Sequence, residues 1–268
     1  MPELPEVETT VRGLERILRG RRIERIEARR ADLRRALPVD LGQRLTGARV
    51  ISLGRRAKYG LIDTDRGDTL VFHLGMSGRW RVDPTEIEKH DHFILETDEG
   101  RRVALNDPRR FGSLDLVRTG DLESWPPFAA LGPEPLDLDP RELKKRLAGR
   151  SAAIKLLLLD QRIVGGLGNI YVCEALYRAG IHPRGAGGSI SIERLKRLVP
   201  AIHDVIEEAI EAGGSTLRDF AAPDGELGYF SKTFAVYDRE GQPCACGGKV
   251  KRFVQGGRST FYCPKCQR

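Results

Sequence analysis

Apolar residues recur at helical spacing from the start of the chain. Val7, Val11, Leu14 and Leu18 fall on one face, predicting a helix over residues 3–19 that Gly20 can end. From about residue 22 to 118 the period changes. Short apolar pieces such as Val50-Ile51, Leu70-Val71-Phe72, Phe93-Ile94-Leu95 and Leu114 to Val117 alternate with Gly, Asp and Arg. That punctuation predicts the strands of a sandwich or barrel. Pro126, Pro127, Pro133, Pro135 and Pro140 then crowd one stretch, stiff and poor in donors, which reads as a linker.

Beyond it the helical period returns. Asp139-Pro140-Arg141-Glu142 is a helix start with a capping-box-like Glu. Ser151 is placed to cap a helix running to Asp160, and Asn169 another to about Ala179. Ser191 opens a longer one, with Leu195, Leu198, Ile202, Val205, Ala209 and Ile210 facing inward and Gly213-Gly214 at its end. Pro200 lies inside it and predicts a kink or a break. No internal repeat is evident.

The tail carries different chemistry. Four of the five cysteines form two close pairs, Cys244-Ala245-Cys246 and Cys263-Pro264-Lys265-Cys266. In a protein without a secretion signal, such pairs predict a tetrahedral zinc rather than disulfides. Between them, Gly256-Gly257 separates two runs of strand character, as in a tight hairpin. A zinc-stapled hairpin needs little core of its own.

Charge narrows the partner. Lys and Arg number 45 against 38 acids, a formal +7, and the hydrophobic share is 40%. From Cys244 to Arg268 there are six bases and no acid, and Arg258 stands beside the Gly-Gly turn. This favours a polyanion. No apolar run approaches the ~20 residues of a membrane span, and the N-terminus has no apolar signal core, so a cytosolic protein is expected.

Several segments are compatible with nucleic acid. Gly165-Gly166-Leu167-Gly168-Asn169 lies between two predicted helices, where backbone N–H groups and a helix N-terminus could receive phosphate, with Lys155 close by. A tight helix–helix turn would need the same glycines. Arg55-Arg56-Ala57-Lys58 is basic, and could touch phosphates or edge a solvated strand. Met76, between glycines, and Phe111, beside Arg109 and Arg110, could be loop residues that wedge into a base stack. His90-Asp91-His92 has no third ligand cluster to make a metal site. A phosphate contact for His90 and packing for His92 fit better.

The first residues are the most informative and the most ambiguous. If Met1 is removed, Pro2 becomes a free secondary amine beside Glu3. An α-amino group titrates near ~8 and is partly neutral, hence nucleophilic, at neutral pH. An adjacent carboxyl can shuttle protons for its attack on a carbonyl-like carbon. Proline and acids equally suit an ordinary helix start.

Taken together, MPELPEVET, RRAKY, HLGMSG, EKHDH, DPRRFG, GGLGNIY, EALYRAGIHP, GGSTLRDF and STFYCPKCQR resemble, in order and along the whole chain, bacterial formamidopyrimidine-DNA glycosylases. The resemblance implies an α+β, multidomain fold. It comprises an N-terminal β-sandwich with flanking helices (1–125), a linker (126–140), a helix-two-turns-helix domain (141–234) and a zinc-finger hairpin (235–268).

The resemblance also implies a bifunctional base-excision-repair enzyme acting on oxidised purines in double-stranded DNA. Pro2 is implied to form the Schiff base and Glu3 to act as acid in base removal. Lys58 is implied for β-elimination and Arg258 for δ-elimination. Met76, Arg109 and Phe111 would fill the gap left by the flipped base. His90, Arg109, Lys155 and Asn169 would contact the DNA backbone. The family often has a lysine where Ser151 stands, so Arg150 is the neighbouring candidate. The segment from Ser215 to about Tyr237 corresponds to a lesion-recognition loop. One zinc on Cys244, Cys246, Cys263 and Cys266, a monomer, no membrane, and a cytoplasmic, nucleoid-associated location complete the expectation. The first cysteine pair is one residue shorter than the family's usual spacing. A sister enzyme for oxidised pyrimidines and a non-catalytic zinc DNA-binding protein are the alternatives.

Overall fold

The computed structural model describes residues 2–215, 223 and 228–268. Helix α1 (Leu4–Leu18) follows the predicted periodicity and buries Leu4, Val7, Val11, Leu14 and Leu18. Pro5 suits its first turn, where a missing N–H costs nothing. A capping box starts it: the Glu3 side chain accepts the Glu6 N–H, and the Glu6 carboxylate accepts the Glu3 N–H.

Then follow β1 (Ile23–Ala28), α2 (Leu41–Leu45), β2 (Val50–Arg56), β3 (Tyr59–Thr64), β4 (Asp68–His73), β5 (Arg79–Val82), β6 (Asp91–Thr97), β7 (Arg102–Asn106), β8 (Ser113–Arg118) and α3 (Pro126–Ala129). The strands form two antiparallel sheets, ordered β1-β6-β7-β5 and β2-β3-β4-β8. Both sheets and α1 feed one core. Phe93, Leu95 and Val103 come from the first sheet, Ile62, Leu70 and Phe72 from the second, and Leu14 and Leu18 from the helix. This is the expected sandwich.

The chain divides into two compact units, Met1–Ala129 with Ala212–Tyr229, and Ala130–Glu211 with Phe230–Arg268. The stretch expected as the helix-two-turns-helix domain with its lesion-recognition loop, 141–234, includes Ala212–Tyr229, which belongs to the first unit. There Pro223 accepts the Val82 N–H at 2.8 Å.

The second unit contains α4 (Pro140–Leu147), α5 (Ile154–Leu159), α6 (Asn169–Arg178), α7 (Ile192–Glu211), β9 (Lys251–Gln255) and β10 (Arg258–Tyr262). Asp139 caps α4 as predicted, accepting the N–H groups of Arg141 and Glu142 at 2.7 and 3.0 Å. Two other caps differ from expectation. Ala153, not Ser151, precedes α5, and Gly168, not Asn169, precedes α6. A side chain able to cap does so only where the backbone is extended, and Asn169 is already inside the helix. Pro200 does not break α7. Its missing N–H removes the bond to the Lys196 carbonyl; both residues are exposed, so water can take that carbonyl.

Candidate active site and zinc finger

In the first unit the N-terminal turn is buried: Pro2 is inside and Glu3 is 3% exposed. Glu6, 2% exposed, does more than complement the helix dipole. One oxygen accepts the Glu3 N–H at 2.8 Å; the other accepts the Ser215 N–H at 2.8 Å and its hydroxyl at 3.0 Å. The turn carrying Pro2 and Glu3 is thus bolted to the start of the segment read as the lesion-recognition loop. Residues 216–222 and 224–227 of that segment lie outside the described residues. Sequence reasoning missed Glu6 because its partner is 209 positions away.

Lys58 sits in the two-residue turn between β2 and β3, where Arg56 pairs with Tyr59 and Ala57 takes φ +52°. It is 7% exposed. Arg55 pairs with Glu8 of α1 at 3.0 Å, fastening this hairpin to the helix that starts at the N-terminal turn. His73, which the sequence reading passed over, stands nearby, paired in register with Tyr59. Its Nδ1 accepts the Gly75 N–H at 3.0 Å, leaving the proton on Nε2. Burial first, then the Lys58 charge, pushes its pKa down to about 4.

The three predicted wedge residues come together. Met76 and Phe111 are 39% and 45% exposed, and the Arg109 guanidinium lies 4.9 Å from the Phe111 ring centroid. Their loops touch at Gly75, where φ is +62° and a Cβ would fall 2.3 Å from the Phe111 carbonyl carbon. Buried Asp107 organises both loops. One of its oxygens accepts the Ser77 hydroxyl at 2.6 Å, the other the Gly112 N–H at 2.8 Å, and the Ser77 hydroxyl in turn receives the Arg109 N–H. His90 is half-buried, with its carbonyl accepting the Asp107 N–H, while His92 packs inward with Nε2 3.0 Å from the Asp107 carbonyl. Asp91 is committed to Arg81, Asn106 and the Glu88 N–H.

In the second unit, Lys155 departs from expectation. It is fully buried, its ammonium donating to the Thr260 hydroxyl at 2.7 Å and the Ser259 carbonyl at 3.2 Å. This lysine, expected from sequence as a contact to the DNA backbone, is turned towards the finger strand. Asn169 Nδ2 donates to the same Ser259 carbonyl at 2.9 Å. Together they hold the residue that follows Arg258, itself exposed at the hairpin tip. Gly256 and Gly257 take φ +57° and +71°, the two positive values a two-residue hairpin turn demands. The glycine loop is partly spent internally. Gly165 N–H goes to the Pro133 carbonyl and Gly166 N–H to the Gln161 side chain, both at 2.9 Å. Arg150 is exposed.

Cys244, Cys246, Cys263 and Cys266 bring their sulfurs within 4.8 Å of one another. The pairs Cys244–Cys266 and Cys246–Cys263 lie at 3.8 and 3.5 Å. A tetrahedral site with ~2.3 Å zinc–sulfur bonds needs sulfurs about 3.8 Å apart. The donor set and its spacing fit one structural zinc, and the short first pair does not prevent closure.

A sandwich with a buried N-terminal proline turn, followed by helices and a four-cysteine hairpin, defines the helix-two-turns-helix, zinc-finger class of proteins. Family models match in the same order: the formamidopyrimidine-DNA glycosylase N-terminal domain over residues 1–114, its H2TH domain over 131–221, and the zinc finger found in FPG and IleRS over 241–268. Curated formamidopyrimidine-DNA glycosylases of Novosphingobium aromaticivorans and Rhizorhabdus wittichii are 70% and 67% identical, each match covering 100% of both chains. A Lactococcus lactis FPG variant in complex with Fapy-dG-containing DNA superposes with TM-score 0.91 at 33% identity over 100% of both chains. MutM (FPG) from Thermus thermophilus gives 0.88 at 40% identity, over 99% of this chain and 98% of that one. The chain belongs to the formamidopyrimidine-DNA glycosylase family.

Proposed function

We propose that this chain is a bifunctional DNA glycosylase and abasic-site lyase of base excision repair. It removes oxidised purines, 8-oxoguanine and formamidopyrimidines, from double-stranded DNA. The observation that carries this reading is the N-terminal turn, where Pro2 and a buried Glu3 begin a capped helix. Relatives across the full chain length support it.

With Met1 removed, the Pro2 nitrogen attacks C1′ of the damaged nucleotide. The C1′–base bond breaks, with Glu3 as the acid in that step; the nitrogen then gives up its proton and the C1′–O4′ bond opens, leaving an iminium at C1′ and a hydroxyl at C4′. The resulting iminium withdraws electrons from C2′ and acidifies its proton. Loss of that proton expels the 3′ phosphate, with Lys58 in the role of β-elimination. Removal of the 5′ phosphate by δ-elimination falls to Arg258. Met76, Arg109 and Phe111 offset the few kcal/mol of unstacking when the nucleotide leaves the duplex. His90, Arg109, Arg150 and Asn169 serve as backbone contacts. The enzyme works as a monomer on DNA of the bacterial cytoplasm.

Borohydride reduction in the presence of an 8-oxoguanine duplex should trap a covalent protein–DNA adduct. Pro2→Gly should abolish it, and undiminished trapping by that variant would refute the Pro2 assignment. A thymine-glycol duplex run in parallel separates purine from pyrimidine specificity. No trapping on any lesion would favour a purely DNA-binding protein.

A further inference from the structure

The two cysteine pairs are built differently. In Cys263-Pro264-Lys265-Cys266, two residues separate the ligands, the usual spacing of a zinc pair. In Cys244-Ala245-Cys246, the turn is one residue shorter, and the N–H three residues on, that of Gly247, goes to the Cys244 carbonyl at 2.9 Å. A donor reaches Cys244 from outside the finger. The Tyr177 hydroxyl, near the end of α6, lies 3.2 Å from Cys244 Sγ. A zinc-bound cysteine is a thiolate and has no S–H to give, so the hydroxyl is the donor. The Tyr177 ring is partly buried against the apolar cluster of Cys173, Val236, Val250 and Phe261, which fixes where the hydroxyl points.

We propose that Tyr177 is a positioning residue of the zinc centre: its hydroxyl donates to the Cys244 thiolate in place of the amide that the shortened Cys-Ala-Cys turn does not supply. Outer hydrogen bonds of this kind orient a metal ligand and stabilise its charged form, and their loss typically costs about 10–100-fold in metal affinity. The bond also ties α6, whose first residue is Asn169, directly to the finger.

The test uses the full chain. Tyr177→Phe keeps the ring in its cluster and removes only the donor. Zinc affinity, measured by competition with a chromogenic chelator, should fall about 10–100-fold. In the cobalt-substituted protein, the thiolate-to-cobalt charge-transfer band should shift, because one sulfur has lost a hydrogen bond. Affinity within twofold of the native chain together with an unmoved band would overturn the proposal. A second variant inserts a glycine after Ala245 and restores a two-residue spacing. In that background, Tyr177→Phe should lose little affinity, and an undiminished loss would show that the hydroxyl does not stand in for an amide. Should Tyr177→Phe alone fail to fold with zinc, recovery of folding by the insertion supports the proposal, and continued failure refutes it.

Discussion

At Gly60 the lack of a side chain is a packing requirement. A Cβ there would lie 2.0 Å from the ring of Phe72, which is fully buried between the sheets. Gly60→Ala should destabilise the first unit by about 1–3 kcal/mol, as overpacking does, with a matching fall in the urea midpoint. His73 illustrates a different residue-scale effect. Its folded pKa is about 4 against an ordinary 6.5, chiefly through burial and then the Lys58 charge. As pH falls, the unfolded chain takes up this proton first, so the unfolded state gains. The His73 contribution is complete above about 6.5 and is lost progressively towards about 4. Urea titrations across that range should show the loss, and His73→Asn should reduce its steepness.

At the scale of elements, the wedge depends on two loops that share one buried carboxylate. Asp107→Ala would remove the acceptor for Ser77 and for Gly112 together. Bonds to a charged acceptor contribute about 1.5–3 kcal/mol each, so melting should drop by several degrees. Excision from a lesion duplex should fall further than stability alone accounts for, because Met76 and Phe111 lose their common support. Excision unchanged at a temperature where the variant is folded would remove these loops from the mechanism. Some elements were legible beforehand. Helix α1 and the finger hairpin follow from local signals: a 3.6-residue apolar period, and two glycines between short strands. The starts of α5 and α6 were not, because Ser151 and Asn169 are capable caps by type, and only the backbone path decides which residue caps.

At the scale of the molecule, the finger concentrates charge on a small zinc-held body. Its bases and the absence of acids between Cys244 and Arg268 predict DNA affinity that falls steeply with salt. Replacing Arg258 with alanine should lower the slope of log affinity against log salt by about one if it neutralises one phosphate. Zinc removal should expose the amides of β9 and β10 to hydrogen exchange while those of the sandwich, which has its own core, keep their protection. What the sequence determined by itself was the chemistry on offer: a proline amine with a neighbouring acid, four thiolates, exposed loop candidates for a wedge and a basic tail. These are short-range patterns, readable because local backbone preference and residue type suffice. What tertiary structure alone decided was which groups are spent on the protein itself. Lys155 is buried on Thr260, Glu6 on Ser215, Asp107 on Ser77 and Tyr177 on Cys244. Each of these partnerships joins residues 30 or more positions apart, and no local periodicity encodes a contact that only chain closure and the exclusion of water create.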